Sequence, residues 1–245
     1  MRRSIPCALL VVALAGCGGP VAAPKVNGPL LQATPTPQAS AKATPTPVVM
    51  VLGDSYTAGI GAMPPEKSYA AEAARQLGWQ IIIGGYRGTG FVAPGHIGKT
   101  FTTLYDEELA WRPAPDLVVV SGGHNDSSKT PALVGTAAQR LLTKIKQRWP
   151  GTPVVLLGPM WGGDPPPAAL STRDTVRSAA ASVQVPFIDP LQEKWITGNV
   201  KHGTGNAPQY IRHDGVHPND AGSRYLGMRF VSALQRLGLA KPSRA

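Results

Sequence analysis

Cysteine is nearly absent from this chain. There are two in 245 residues, and five histidines are spread singly. That leaves neither a disulfide scaffold nor the clustered ligands of a structural zinc module. Only 16% of residues are charged and 6% aromatic, while 28 glycines and 25 prolines punctuate the chain; a coiled coil or helical array is excluded. The G-x-S-x-G pentapeptide that marks one large class of serine hydrolases is missing as well. The expectation is chemistry without a metal and without a cofactor. What remains is a 42% apolar chain, enough to fill the core of one α/β domain of ordinary size.

The net charge of +10 raises the question of nucleic acid, and the N-terminus answers it by location. Arg2 and Arg3 precede a mostly apolar run, Ile5 to Ala15, broken by Pro6 and too short to span a bilayer. Residues 1–16 read as a secretory signal. The run ends in Leu14-Ala15-Gly16-Cys17, which resembles a bacterial lipobox and implies diacylglyceryl transfer to the Cys17 sulfur; an ordinary cleavage site before an unmodified cysteine is the alternative. The expected location is extracytoplasmic, lipid-anchored to the cell membrane, with no nucleic-acid partner. The dispersed Lys and Arg suit anionic envelope polymers, or equally a solvated basic surface with no partner.

Residues 17–47 form the next segment, carrying Pro20, Pro24, Pro29, Pro35, Pro37, Pro45 and Pro47 and a near-repeat of Ala-Thr-Pro-Thr-Pro. Such a stretch buries too little apolar surface to fold and reads as a semi-extended tether. The folded domain is then 48–245.

Within it, apolar runs of strand length occur at Val48–Leu52, Gln80–Ile83, Leu117–Ser121, Val154–Leu157 and Val185–Ile188. Their β-branched content suits parallel strands buried on both faces. Helical spacing occupies Glu66–Leu77, Thr102–Trp111, Pro131–Arg148, Ala168–Val183 and Asp220–Leu237. Alternation of this kind predicts a three-layer, doubly wound α/β/α sandwich with five parallel strands. Ligands of such sheets bind at the carboxyl ends of the strands, so the residues just after each strand carry the functional reading.

The first strand runs into Gly53-Asp54-Ser55-Tyr56, placing a serine on a tight turn, as nucleophile or as helix cap. The second is followed by Gly84-Gly85-Tyr86-Arg87-Gly88-Thr89-Gly90, a loop whose N–H groups can approach a bound oxygen. After the third comes Gly122-Gly123-His124-Asn125-Asp126. Ser55 N–H, Gly88 N–H and the Asn125 amide are candidates for an oxyanion hole; Asn125 is equally suited to satisfying local backbone. Near the C-terminus, Asp214 and His217 are three apart on a loop, a spacing at which the carboxylate can orient an imidazole to accept a proton from Ser55. A metal cluster of His213, Asp214 and His217 is disfavoured, because Gly215 and Pro218 break the helix such a histidine pair needs. Met160 and Trp161, in the Pro-rich loop after the fourth strand, are candidates for a substrate pocket or for cover over the core edge. Trp195, Lys201 and His202 sit in a long segment positioned as a flap.

Taken together, Gly53-Asp54-Ser55, Gly88, Gly123-x-Asn125-Asp126 and Asp214-x-x-His217 resemble the blocks of the SGNH (GDSL-type) hydrolase family. The resemblance spans nearly the whole folded part, and the stretch Trp195 to Gly222 looks like secreted members from high-GC bacteria. It implies a flavodoxin-like domain with strand order 2-1-3-4-5 and an esterase, lipase or carbohydrate-deacetylase activity. It also implies Ser55 as nucleophile, His217 as general base, Asp214 as its orienting partner, and Gly88 and Asn125 as oxyanion donors. The second block lacks the Asn that often begins it, so Gly88 and Gly90 compete for the donor role. Ester hydrolysis of a lipid or an O-acylated glycan is the expected function; acyl transfer to a sugar hydroxyl, and glycan or lipid binding without catalysis, are the alternatives.

Overall fold

The computed structural model describes residues 45–60 and 63–244. The signal, Cys17 and the tether through residue 44 lie outside the described residues. In chain order the elements are β1 (Val48–Gly53), α1 (Ser55–Ala58), α2 (Tyr69–Leu77), β2 (Gln80–Gly85), α3 (Phe101–Leu104), β3 (Leu117–Ser121), α4 (Pro131–Arg148), β4 (Val154–Leu157), α5 (Pro167–Ser182), β5 (Phe187–Ile188), α6 (Ala207–Tyr210) and α7 (Asp220–Arg236). The five strands form one parallel sheet in the order β2-β1-β3-β4-β5.

Alternate residues of each apolar run serve opposite faces. Val49, Val51, Leu117 and Val119 point into a core shared with α2 and α7, beside Tyr69, Leu226 and Phe230. Met50, Leu52, Val118 and Val120 point into a second core with α3, α4 and α5, beside Phe101, Leu142 and Val176. All eight strand side chains are buried, and burial of each contributes about 1.5–3 kcal/mol. This two-sided burial is why the strands read as unbroken apolar runs.

Three elements differ from the periodicity. The helix expected at Glu66–Leu77 is interrupted: Pro65–Lys67 form a 3-10 turn, and Ser68 leaves the helical region to cap α2, its Oγ accepting from Ala71 N–H at 3.3 Å. The second helix begins at Phe101 and widens into a π turn over Tyr105–Leu109, which carries the Glu108 carboxylate that accepts from Gly85 N–H at 2.7 Å. The last strand is only two residues long because Val185 N–H is spent on Ala180 O, closing the C-terminus of α5.

In register, Gly53 stands opposite both Gly85 and Ser121. The turns after β1, β2 and β3 therefore leave the sheet side by side. β1, with a crossover to either side of it, is the switch point at which this architecture opens a crevice.

Candidate active site

The turn after β1 is organised by Asp54. Its backbone is extended, its carboxylate accepts from Tyr56 N–H at 3.0 Å, and its carbonyl accepts from Thr57 and Ala58 N–H at 3.0 and 2.7 Å. Ser55 thus becomes the first residue of a single-turn helix, 6% exposed. Burial raises the Asp54 carboxyl to about 7; the Tyr56 N–H opposes that shift and the nearby charge of Asp126 adds to it.

The partner of Ser55 arrives from the other end of the chain. An antiparallel bridge between Ile211 and Pro218, with Arg212 N–H donating to His217 O at 2.8 Å, pinches residues 212–217 into a tight loop. Inside it, one oxygen of Asp214 accepts from Val216 and His217 N–H, each at 2.9 Å. Its other oxygen lies 2.8 Å from His217 Nδ1, and His217 Nε2 lies 3.0 Å from Ser55 Oγ. An ionised carboxylate only accepts, so Nδ1 carries the proton and Nε2 is the acceptor for the Ser55 hydroxyl. Burial pushes the Asp214 carboxyl up, but the Val216 N–H and the imidazole and N–H of His217 together hold it below the ordinary carboxylate range. Asn219 closes the loop by capping α7, accepting from Gly222 N–H at 2.8 Å.

The loops after β2 and β3 are tied to each other. Asn125 Nδ2 donates to Thr89 O at 2.9 Å, leaving a second amide hydrogen free of that bond. The fully buried Asp126 accepts from the N–H groups of Phe91, Val92 and Ala93, each at 2.9 Å. The sequence pattern assigns Asp126 no task; its signal is a carboxylate five residues beyond the end of an apolar strand, which must find donors when buried. Gly88 and Gly90 now separate. Gly90 N–H is spent on Ala93 O at 2.9 Å, whereas the N–H groups of Gly88 and Ser55 have no protein acceptor among the described residues.

Beside the Ser55–His217 pair, the Tyr56 ring lies 5.7 Å from that of His124 and 6.0 Å from that of His217. His124 Nδ1 pairs with Met160 O at 3.0 Å, and its ring packs on Trp161 at 4.2 Å. Burial holds the His124 pKa below the usual imidazole value, against the Met160 carbonyl. Of the two pocket candidates, Met160 is corrected: its side chain is 5% exposed within the core, and only its carbonyl reaches His124. Trp195, expected in a flap, is 1% exposed in the same core, whereas Lys201 and His202 are exposed. Trp161 faces a cavity of about 240 Å³ shared with Asp164, Asn199, Lys201, Asp214 and Gly215. The loops around it touch through backbone, since a β-carbon on Gly162 would stand 2.3 Å from Gly215 O. On the other flank of the His217 loop, Arg212, His213 and Asp214 line a cavity of about 550 Å³.

A buried serine hydroxyl hydrogen-bonded to a carboxylate-oriented imidazole is equipped for nucleophilic attack on a carbonyl. Comparison with known proteins gives the same direction. A profile of the GDSL-like Lipase/Acylhydrolase family matches residues 51–225. The chain is 30% identical to the GDSL lipase Rv0518 of Mycobacterium tuberculosis over 189 residues, 73% of this chain and 77% of that protein. In fold it is similar to a family two carbohydrate esterase from Clostridium thermocellum in complex with cellohexaose, with TM-score 0.62 at 20% identity, covering 80% of this chain and 67% of the other. It is also similar to Est24, a carbohydrate acetylesterase from Sinorhizobium meliloti, with TM-score 0.58 at 18% identity, covering 78% and 100%.

Proposed function

Because this chain belongs to the GDSL-like lipase/acylhydrolase family and is a hydrolase acting on esters, we propose that it cleaves them through a Ser55-His217-Asp214 triad, outside the cytoplasm, on O-acylated glycans. The single observation that carries the mechanism is the chain of contacts from Ser55 Oγ through both imidazole nitrogens of His217 to Asp214, 3.0 and 2.8 Å long.

His217 Nε2 takes the proton from Ser55 Oγ as that oxygen adds to the ester carbonyl, and Asp214 stabilises the imidazolium that results. The N–H groups of Ser55 and Gly88 and the free amide hydrogen of Asn125 receive the developing oxyanion. Collapse of the tetrahedral intermediate breaks the bond to the alcohol, which leaves with the proton from Nε2. Water, deprotonated by the same nitrogen, then attacks the acyl-serine. The acid departs, and Ser55 regains its hydrogen.

A glycan in place of a lipid is favoured by the cavity against the His217 loop. Trp161 offers an aromatic surface, and Asp164, Asn199 and Lys201 supply donors and acceptors of both kinds, a lining suited to a ring bearing hydroxyls. The extracytoplasmic setting rests on the sequence of residues 1–17, with Cys17 as the lipid anchor.

The test pairs labelling with turnover. A fluorophosphonate should modify Ser55, located by peptide mapping; Ser55→Ala should lose labelling, His217→Ala should label far more slowly, and both should fall to a small residual hydrolysis of p-nitrophenyl acetate, still above that of water because the oxyanion donors remain. In a series of p-nitrophenyl esters set beside acetylated glycans, acetate should be preferred to long chains. Full turnover in Ser55→Ala ends the mechanism, and preference for long acyl chains ends the glycan assignment.

A further inference from the structure

Tyr56 follows the serine directly, yet its hydroxyl reaches a residue 160 positions away. It donates to Val216 O at 2.5 Å, and the side chain is 1% exposed. Val216 O and His217 N–H are the two ends of one peptide unit. The N–H end is held by Asp214 at 2.9 Å, the C=O end by Tyr56. The plane of that peptide sets where the His217 Cα–Cβ bond points, and through it where Nε2 stands relative to Ser55 Oγ. The Tyr56 ring supports the same arrangement, 6.0 Å from the imidazole of His217.

We infer that Tyr56 is a positioning residue for the base: it locks the His217 peptide to the nucleophile turn, so that serine and imidazole keep their spacing although they belong to opposite ends of the chain. Burial, with the charges of Asp54 and Asp214 acting in the same direction, raises the phenol well above its usual value, so the group is a permanent donor. It neither touches the reacting atoms nor transfers a proton. The inference rests on the proposed roles of Ser55 and His217, and it explains why a tyrosine, with its hydroxyl, stands at this place in the turn: an aliphatic side chain could fill the volume but could not hold the carbonyl.

The test is Tyr56→Phe, which keeps the ring and removes the donor. With p-nitrophenyl acetate, kcat should fall about tenfold, in line with the loss of one buried hydrogen bond, while KM is unchanged; the rate of fluorophosphonate labelling should fall by the same factor. A structural role alone would act in every background, so the discriminating readout is a double-mutant cycle. In a His217→Ala protein, Tyr56→Phe should leave the residual turnover unaltered. Wild-type kcat in a folded Tyr56→Phe protein, or an equal loss with and without His217, overturns the inference. Should the phenylalanine variant fail to fold, a fluorotyrosine placed at position 56 preserves shape and changes the strength of the donor; an unchanged kcat there overturns it too. Undiminished activity in His217→Ala alone would instead remove the underlying triad.

Discussion

Gly90 and Asp126 are pressed together so closely that a β-carbon on the glycine would stand 2.3 Å from a carboxylate oxygen. That contact explains the glycine after Thr89 without recourse to oxyanion binding. It also shows how the β2 and β3 loops are welded: the carboxylate packs on bare backbone and takes three N–H groups from the residues that follow. Gly88, whose N–H has no protein acceptor among the described residues, and Asn125, bonded to Thr89 O, are carried on this joint.

Asp126→Ala should therefore damage both stability and turnover. Three donors lose their acceptor at once, those of Phe91 and Ala93 buried and that of Val92 partly so, and each buried unsatisfied group costs about 1–3 kcal/mol, a large part of the 5–15 kcal/mol that typically holds a domain. Thermal melting should show a drop of well over 10 °C, or no soluble protein, whereas Asn125→Ala, which strands no such cluster, should stay folded and lose about 10²–10³-fold in kcat. An Asp126→Ala protein with wild-type Tm would refute the clamp.

Asp214→Asn tests the orientation of the imidazole. An amide can present its NH₂ to Nδ1 and favour the tautomer in which Nε2 holds the proton and cannot accept one. Removal of this effect costs about 10⁴-fold where the carboxylate is deeply buried. Here the side chain is 41% exposed, so a smaller loss in kcat, about 10²–10³-fold, is expected. Equal activity of the two proteins at neutral pH would show that His217 needs no orienting carboxylate.

Asp54 predicts a pH dependence of stability opposite in sign to that of a salt-bridged acid. Its folded pKa of about 7 lies above the ordinary 3.8, so between those values the folded state binds more protons than the unfolded one. Stability falls as pH rises through this window. Asp214, held below the ordinary range, acts in the opposite sense and only at lower pH. Asp54→Asn keeps a good helix cap and removes the ionisation. Urea unfolding should find the variant close to wild type at pH 4 and more stable at pH 8, by at most about 4 kcal/mol on the linkage relation. Identical pH profiles for the two proteins would contradict the assignment.

How far all this could be read from the chain depends on whether the cause was local. The cores of all five strands, and helices α4, α5 and α7 to within a residue or so, follow from apolar runs, helical spacing and turn residues that lie in sequence where they act, whereas the sheet order is the one implied by the family resemblance. The residues that meet around Ser55 were legible because each sits directly after a strand or before a helix. The rest was set across the fold. Ser68 breaks a helix because its Oγ finds Ala71 N–H. Val185 is withheld from β5 by Ala180 O. Met160 and Trp195, read as rim and flap, are drawn into the core that α7 closes. Tyr56 reaches Val216 over 160 positions, and no periodicity or spacing announces such a bond.

The remaining prediction concerns Trp161, which lies in the loop after β4 and faces the cavity beside the His217 loop. One side of its ring is packed near His124, so the indole is held in place before any ligand arrives, and little side-chain entropy is lost on binding. An aromatic surface of this kind contributes about 0.5–1.5 kcal/mol to a stacked ring, or roughly 2- to 10-fold in kcat/KM. Trp161→Ala should lower kcat/KM for an acetylated oligosaccharide by that factor, chiefly through KM. For p-nitrophenyl acetate, which has no sugar to place there, the loss should be much smaller. Equal losses on both substrates would mean that the tryptophan supports His124 and the loop around it, and that the alcohol portion of the ester binds elsewhere.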